Sequence, residues 1–371
     1  NSTLATKGGG TVTILASESV SVLDKGRVTS STFNVGEAGH IDISTPVFLL
    51  TGGGAIQAVT SSSGDGGNIL IRVGEFTIAD GAFIDTSTFG VGRGGTVNIL
   101  ATGGVSLDGP GTGVTSSASG EGPGGAVNIQ AEQAIQLKAG AVVKVDSEGL
   151  GNAGDILLQS GDIIQLVNSS ITTGAEHASG GNIKLAAPNI IQLQESTLES
   201  SVQGGTETTG GNIDIDPQFV IIQGSNILAR ATLGNGGQIN IEGNVVLVDP
   251  FSRIDASSAF GVSGSVDIQA PIQNLSGTIA PLPEDTVPVV ALYSARCAAG
   301  EGGHFSTFVD SKADSLSPTP GQFLASPLLV SSTQTSIITD VSNVHGSPIL
   351  LSASITPLFV GQTGESTTAC P

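Results

Sequence analysis

A pair of small residues, Gly-Gly in most cases, followed by an alternating x-Ile/Val-x-Ile/Leu run recurs ten times along the chain. The first copies read Gly9-Gly10-Thr11-Val12-Thr13-Ile14 and Ala38-Gly39-His40-Ile41-Asp42-Ile43. Counted from the second residue of each pair, the anchors are Gly10, Gly39, Gly67, Gly95, Gly125, Gly154, Gly181, Gly211, Gly237 and Gly264, at spacings of 26 to 30 residues. A period of this length makes each copy one supersecondary unit that buries its apolar face against the neighbouring copy.

Two further signals sit inside each copy. Eight to ten residues after the anchor comes an apolar-x-apolar triplet, as in Val20-Ser21-Val22, Val105-Ser106-Leu107, Ile135-Gln136-Leu137, Ile164-Gln165-Leu166 and Ile191-Gln192-Leu193. A turn follows, marked by Gly26, Gly81, Ser169, Ser196, Ser225 or Ser252, and then an aliphatic residue trailed by small or hydroxylated ones, as in Val28-Thr29-Ser30 and Ile171-Thr172-Thr173. Alternation with period 2 means strands. Three short strands per repeat, ten times over, predict an all-β solenoid: a parallel β-helix of about ten coils. Its hand is expected to be right, as for other parallel crossovers.

The pattern also predicts a register. Val12, Ile41, Ile69, Val97, Val127, Ile156, Ile183, Ile213, Ile239 and Val266 should point inward and stack, a β-branched column suited to a buried pleated wall. The glycine pairs mark a corner that needs either positive φ or a close backbone approach. At about 4.8 Å per coil, ten coils make a rod roughly 45–50 Å long.

The repeat stops near Ala270, so the chain divides into a β-helix over 1–270 and a Pro-rich region over 271–371 that holds both cysteines. Its apolar runs, Val287 to Tyr293 and Ile349 to Ile355 among them, read as a β-rich C-terminal cap. Asn1 already falls inside a repeat pattern, so further coils are expected to precede it, or another copy to stack end to end on the exposed strand edges.

Composition removes several functions. Lys and Arg number 12 against 32 Asp and Glu, a net charge of −20, so the basic footprint of a nucleic-acid binder is missing. No apolar run reaches the ~20 residues needed for membrane insertion as a helix. With 38% hydrophobic residues the chain is too apolar for disorder.

Chemistry on this scaffold would need clustered carboxylates. The best column, one residue after the third-strand aliphatic, reads Asp85, Asp146, Glu199 and Asp255, with Thr115, Thr172 and Ala229 between. Acids two coils apart lie ~9.6 Å from each other, at the far edge of inverting-glycosidase geometry. Spacing out like charges along an exposed ladder explains the same pattern, and Arg72, Arg93 and Arg230 share no column with these acids. No catalytic residue, cofactor or metal ligand is assigned. Gly64-Asp65-Gly66-Gly67-Asn68 resembles one turn of a calcium roll but does not recur at nine residues, which leaves only loose surface Ca²⁺ open. His40, His177, His304 and His345 have no partner at ligand spacing. Gly90-Val91-Gly92-Arg93-Gly94-Gly95 lacks the helix a phosphate loop needs and reads as a long corner. Phe33, Phe89 and Phe260 recur in the loop before the anchor, either as partner contacts or as pins that tuck against their own coils.

The repeats, in their Gly66-Gly67-Asn68-Ile69, Gly180-Gly181-Asn182-Ile183 and Gly210-Gly211-Asn212-Ile213 form, resemble the large filamentous-haemagglutinin-like exoproteins of two-partner secretion. The tail adds to the resemblance with Ser294-Ala295-Arg296-Cys297, Phe305-Ser306-Thr307-Phe308 and Pro318-Thr319-Pro320, while Lys312-Ala313-Asp314-Ser315 departs from the family's Gly-Arg-Gly-Gly element. The resemblance implies a non-enzymatic, extracellular or cell-surface rod of a Gram-negative bacterium. Such a rod leaves through an outer-membrane partner pore and serves adhesion, aggregation or matrix formation on a host, cell or matrix surface. A β-helical polysaccharide lyase or glycosidase is the alternative. A carbohydrate-binding module without catalysis is a third reading, and the spread of the acids, the absence of Trp and the single Tyr293 argue against both. In the oxidising compartment so implied, Cys297 and Cys370 are expected to close the tail as a disulfide; two free thiols, or bonds between subunits, are the other outcomes.

Overall fold

The computed structural model describes residues 8–273 apart from residue 34, and among these there is no helix. The expected cap over 271–371, with Cys297, Cys370, His304 and His345, lies outside the described residues but for its first three positions.

The described chain is a parallel β-solenoid of nine complete coils and the first two strands of a tenth. A middle coil shows the plan: a first strand at Ala126–Ala131, a second at Ile135–Lys138 and a third at Val142–Lys144. First and second strands join one 18-stranded sheet, and third strands form a separate nine-stranded sheet. In coils two and three the first two strands fuse into Ile41–Leu50 and Ile69–Ala79. Every pairing between coils is parallel and in register, as when Val127 lies between Val97 and Ile156.

The inward column matches the expectation at all ten positions, from Val12 opposite Ile41 to Ile239 opposite Val266. From Ile41 to Ile239 its members are at most 1% exposed, while Val12 is partly buried and Val266 is exposed. A second column runs from Val20 through Phe48, Phe76 and Val105 to Ile135, and there Phe48 and Phe76 stack with centroids 5.4 Å apart.

The corners are held by polar ladders that run along the solenoid. At the turn before the third strand, the Ser169, Ser196 and Ser225 amides donate to the Oγ of Ser196, Ser225 and Ser252 in the following coil, at 3.1–3.2 Å. Asn168 and Glu195, just before two of these serines, adopt positive φ, so the turn is tight and its amides need such caps. At the opposite corner, Asn68, Asp155, Asn182 and Asn212 each accept the amide of the residue stacked on them from the next coil. The anchor glycines are absent from the positive-φ residues, so their reason is close approach: a Cβ at Gly67, Gly95, Gly125 or Gly154 would run into the carbonyl of the preceding coil's anchor. Beside the pair, the Ser30, Ser116 and Ser200 hydroxyls donate to anchor-glycine carbonyls.

A fourth ladder escaped the sequence reading. Single residues after the third strand bridge coil to coil along Thr32, Thr60, Thr88, Ala118, Ser147, Ala175, Val202, Ala231 and Ser258. With one residue per coil and no fixed polarity, the ladder has no periodic signal. It sets the loop that follows the third strand and thereby one wall of the site described next.

Candidate functional site

The third strands and this fourth ladder frame a shallow groove along the solenoid. Its floor column is, coil by coil, Thr29, Gln57, Asp85, Thr115, Lys144, Thr172, Glu199, Leu228 and Asp255. Asp85, Glu199 and Asp255 therefore share a column as expected. Asp146 does not: Lys144 holds that place, and Leu228 stands where Ala229 was expected. The cause is local. In Val142-Val143-Lys144-Val145-Asp146 both Val143 and Val145 are fully buried, so two aliphatics compete for the same reading and the register slips by two.

Groove residues of coils five to nine surround a cavity of about 550 Å³. Each basic side chain there has an acidic partner, while Glu148 and Glu176 add acid with no ion-pair partner among the described residues. Lys144 Nζ lies 3.0 Å from Asp146 Oδ2, Arg230 Nη2 lies 3.7 Å from Glu199 Oε1, and Arg253 Nη2 lies 2.5 Å from Asp255 Oδ2. Arg230 is outside the acid column, as expected, yet it pairs with Glu199 from one coil on; Lys144 and Arg253 had not been singled out. Asp146 Oδ1 also accepts the Gly174 amide at 2.9 Å. Burial works against ionisation of Asp255, but hydrogen bonds from Ser257 and the pairing with Arg253 outweigh it and hold its carboxyl below the ordinary range.

Asp85 behaves in the opposite way. Burial pushes its carboxyl above the ordinary value, and the hydrogen bonds from Ser87, including its amide at 2.9 Å, offset this only in part. Its column neighbours are Gln57 and Thr115, so no second carboxylate stacks on it. The folded state therefore binds this proton more tightly than the unfolded state does. Below the ordinary carboxylate value both states hold the proton and Asp85 costs nothing; as the pH rises through the raised value, the half-buried carboxylate ionises and stability falls. Asp85→Asn keeps an acceptor for the Ser87 amide and removes that loss. The variant is expected to match the parent in acidic buffer and to exceed it in denaturation midpoint at neutral pH; equal midpoints at both would mean that Asp85 is solvated.

Coils one to three carry the aromatic part of the groove, a cavity of about 720 Å³ lined by Arg27, Gln57, Ser31, Ser61, Phe33 and Phe89, among others. Phe33 and Phe89 follow Thr32 and Thr88 of the fourth ladder, and Ser61 holds the place between them. The rings are 79% and 57% exposed, so neither tucks against its coil. Phe260 is also 79% exposed, but Ala259 occupies its column and the ring stands one residue further on.

The remaining candidates have structural occupations. Asp65 Oδ1 accepts the Arg93 amide and Asn68 Oδ1 the Thr96 amide, so the roll-like segment uses its oxygens as coil-to-coil caps. His40 Nδ1 accepts the Asn68 amide at 3.2 Å. Residues 90–95 form the expected corner loop, and Arg72 pairs with Asp42 at 3.0 Å. Among the described residues no group of three His, Cys, Asp or Glu can hold a metal ion. In comparisons with known proteins, no family model, no curated protein and no solved structure matches this chain.

Proposed function

We propose that this chain is the shaft of an extracellular structural and adhesive rod. In this reading it belongs to a large two-partner exoprotein, leaves a Gram-negative cell through an outer-membrane pore, and works at the cell surface or in the surrounding matrix. The observation that carries the reading is the use of the groove's charges. In coils five to nine each basic group of the floor is paired with an acid of its own or the adjacent coil, and the surface ladders cap backbone from coil to coil. Side chains so engaged stiffen a shaft. The repeat's resemblance to secreted exoproteins supports the location.

The test is imaging and protease shaving of cells that make the full product. Rods at the surface or in the medium, removed by protease added to intact cells, are expected. Protein that stays protected until the cells are lysed would overturn the reading.

One observation favours the alternative, a β-helical carbohydrate-active enzyme: a carboxyl held above its ordinary range, as Asp85 is, suits a general acid. Glycoside hydrolysis also needs a second carboxylate across the scissile bond, and the floor beside Asp85 offers Gln57 and Thr115. Incubation with polyuronates and neutral polysaccharides is expected to release neither reducing ends nor unsaturated products. Release that Asp85→Asn abolishes would establish the enzyme.

A further inference from the structure

We infer that the aromatic groove of coils one to three binds an extended, uncharged β-1,4-linked glycan chain, with Phe33 and Phe89 as its two stacking platforms. This names the partner for the adhesive reading and rests on it. The first argument is the cost of leaving the rings where they are. A phenylalanine carries no polar atom, and here two of them stand mostly in water on loops whose neighbouring positions take serine. Val35 and Val91, two residues further along the same loops, are exposed as well, at 61% and 56%. The apolar character is confined to alternate coils: coil two carries Ser61 and Ser63 at the corresponding places.

The second argument is spacing. Parallel coils repeat every 4.7–4.9 Å, so side chains two coils apart in one column are separated by about 9–10 Å. That is close to the two-sugar repeat of a flat β-1,4-linked chain, in which the same apolar ring face returns with every second residue. Two platforms at this interval, with a small serine between, accept alternate sugars face-on and leave room for the intervening one. A peptide β-strand returns the same face roughly every 6–7 Å, short of the platform interval, and an α-linked glucan coils away from a straight row.

The third argument is what surrounds the rings. The lining supplies hydroxyls from Ser31, Ser61 and Thr29, and Arg27 Nη1 donates to Gln57 Oε1 at 2.8 Å, which fixes an amide and a guanidinium side by side on the floor. Apolar platforms with a few fixed polar groups are the usual make-up of a small-molecule site. Charge selects among glycans. The chain as a whole carries −20, which disfavours a sulfated or uronic-acid chain, and the one charged side chain in the lining, Arg27, is already engaged by Gln57.

The experiment uses the whole purified chain without cells, so its outcome is independent of where the protein resides. Binding to chitohexaose and cellohexaose is measured by calorimetry, with maltohexaose and heparin as comparison probes. Binding to at least one β-1,4 hexamer, ahead of both comparison probes, is expected. Phe33→Ala and Phe89→Ala should each weaken it about tenfold, the scale of one lost aromatic contact, with unchanged circular dichroism because both rings are exposed. Phe260→Ala, at the other end of the groove, should leave it unchanged. No binding to either hexamer, tighter binding to heparin, or binding indifferent to both Phe variants overturns the inference. So does self-association that Phe33→Ala and Phe89→Ala abolish, since the platforms would then serve a second copy of the chain.

Discussion

Ile183→Asp is expected to destabilise the solenoid by roughly 3–5 kcal/mol, the range for a buried charge without a partner. Ile183 is fully buried, lies between Ile156 and Ile213 in the inward column, and shares its strand's inner face with Leu185. The core cluster it belongs to is made of aliphatic, alanine and phenylalanine side chains, and the buried hydroxyls of Thr173 and Ser200 are already committed to the Gly181 carbonyl. The position is central, with coils stacked on both sides. In a stack held by nearest-neighbour contacts, such a lesion breaks coupling between the two halves as well as weakening its own coil. Chemical denaturation should show a much lower midpoint and a broadened or two-step transition. The loss should shrink in acid, where the introduced carboxyl can enter the core as the neutral form. Lys184→Ser, one residue on and facing solvent, is the control and should shift stability by no more than about 0.5 kcal/mol. A midpoint unchanged in Ile183→Asp would show that the inward column has been assigned to the wrong face.

The inward columns were legible because they combine two independent periodicities, alternation within a strand and a return every 28 residues or so. A false register has to violate one of them at ten places. The floor of the groove was less legible for the same reason. Outward residues follow function and solvation, so Lys144, Thr172 and Leu228 share no property that would reveal their alignment. Only the aliphatic before each could place them, and where the chain offers Val143 and Val145 the choice is open until the pairing partners are known. Ion pairs between coils, such as Arg230 with Glu199, were hidden by their separation of about one repeat along the chain and, here, by the one-residue misplacement of Leu228 in the column. The two-coil spacing of Phe33 and Phe89 was visible as a recurring loop motif. Their exposure was not, because sequence does not tell a ring folded onto its own coil from one that faces water.

Gly125→Ala is the second large effect, and it tests why the glycine pair exists at all. A Cβ at Gly125 would run into the carbonyl oxygen of Gly95 in the preceding coil and the Oγ of Ser116, which itself donates to that carbonyl. Neither can retreat: the carbonyl belongs to a corner fixed by the strand pairing of Ala126–Ala131 with Thr96–Ala101, and Ser116 is fully buried. The coils must separate locally or the corner must tilt. A cost of roughly 3 kcal/mol is expected, at the top of the overpacking range because the obstacle is backbone. Gly124→Ala should cost less. The first position of the pair faces the following coil's amide, and the chain itself places Ala38 and Ala153 there, both buried, while the second position is glycine in all ten copies. Gly205→Ala meets nothing within 4 Å and should be close to neutral. The expected order of denaturation midpoints is therefore Gly205→Ala highest, Gly124→Ala intermediate and Gly125→Ala lowest. A Gly125→Ala midpoint equal to that of Gly205→Ala would mean that coil contact does not select the anchor glycine.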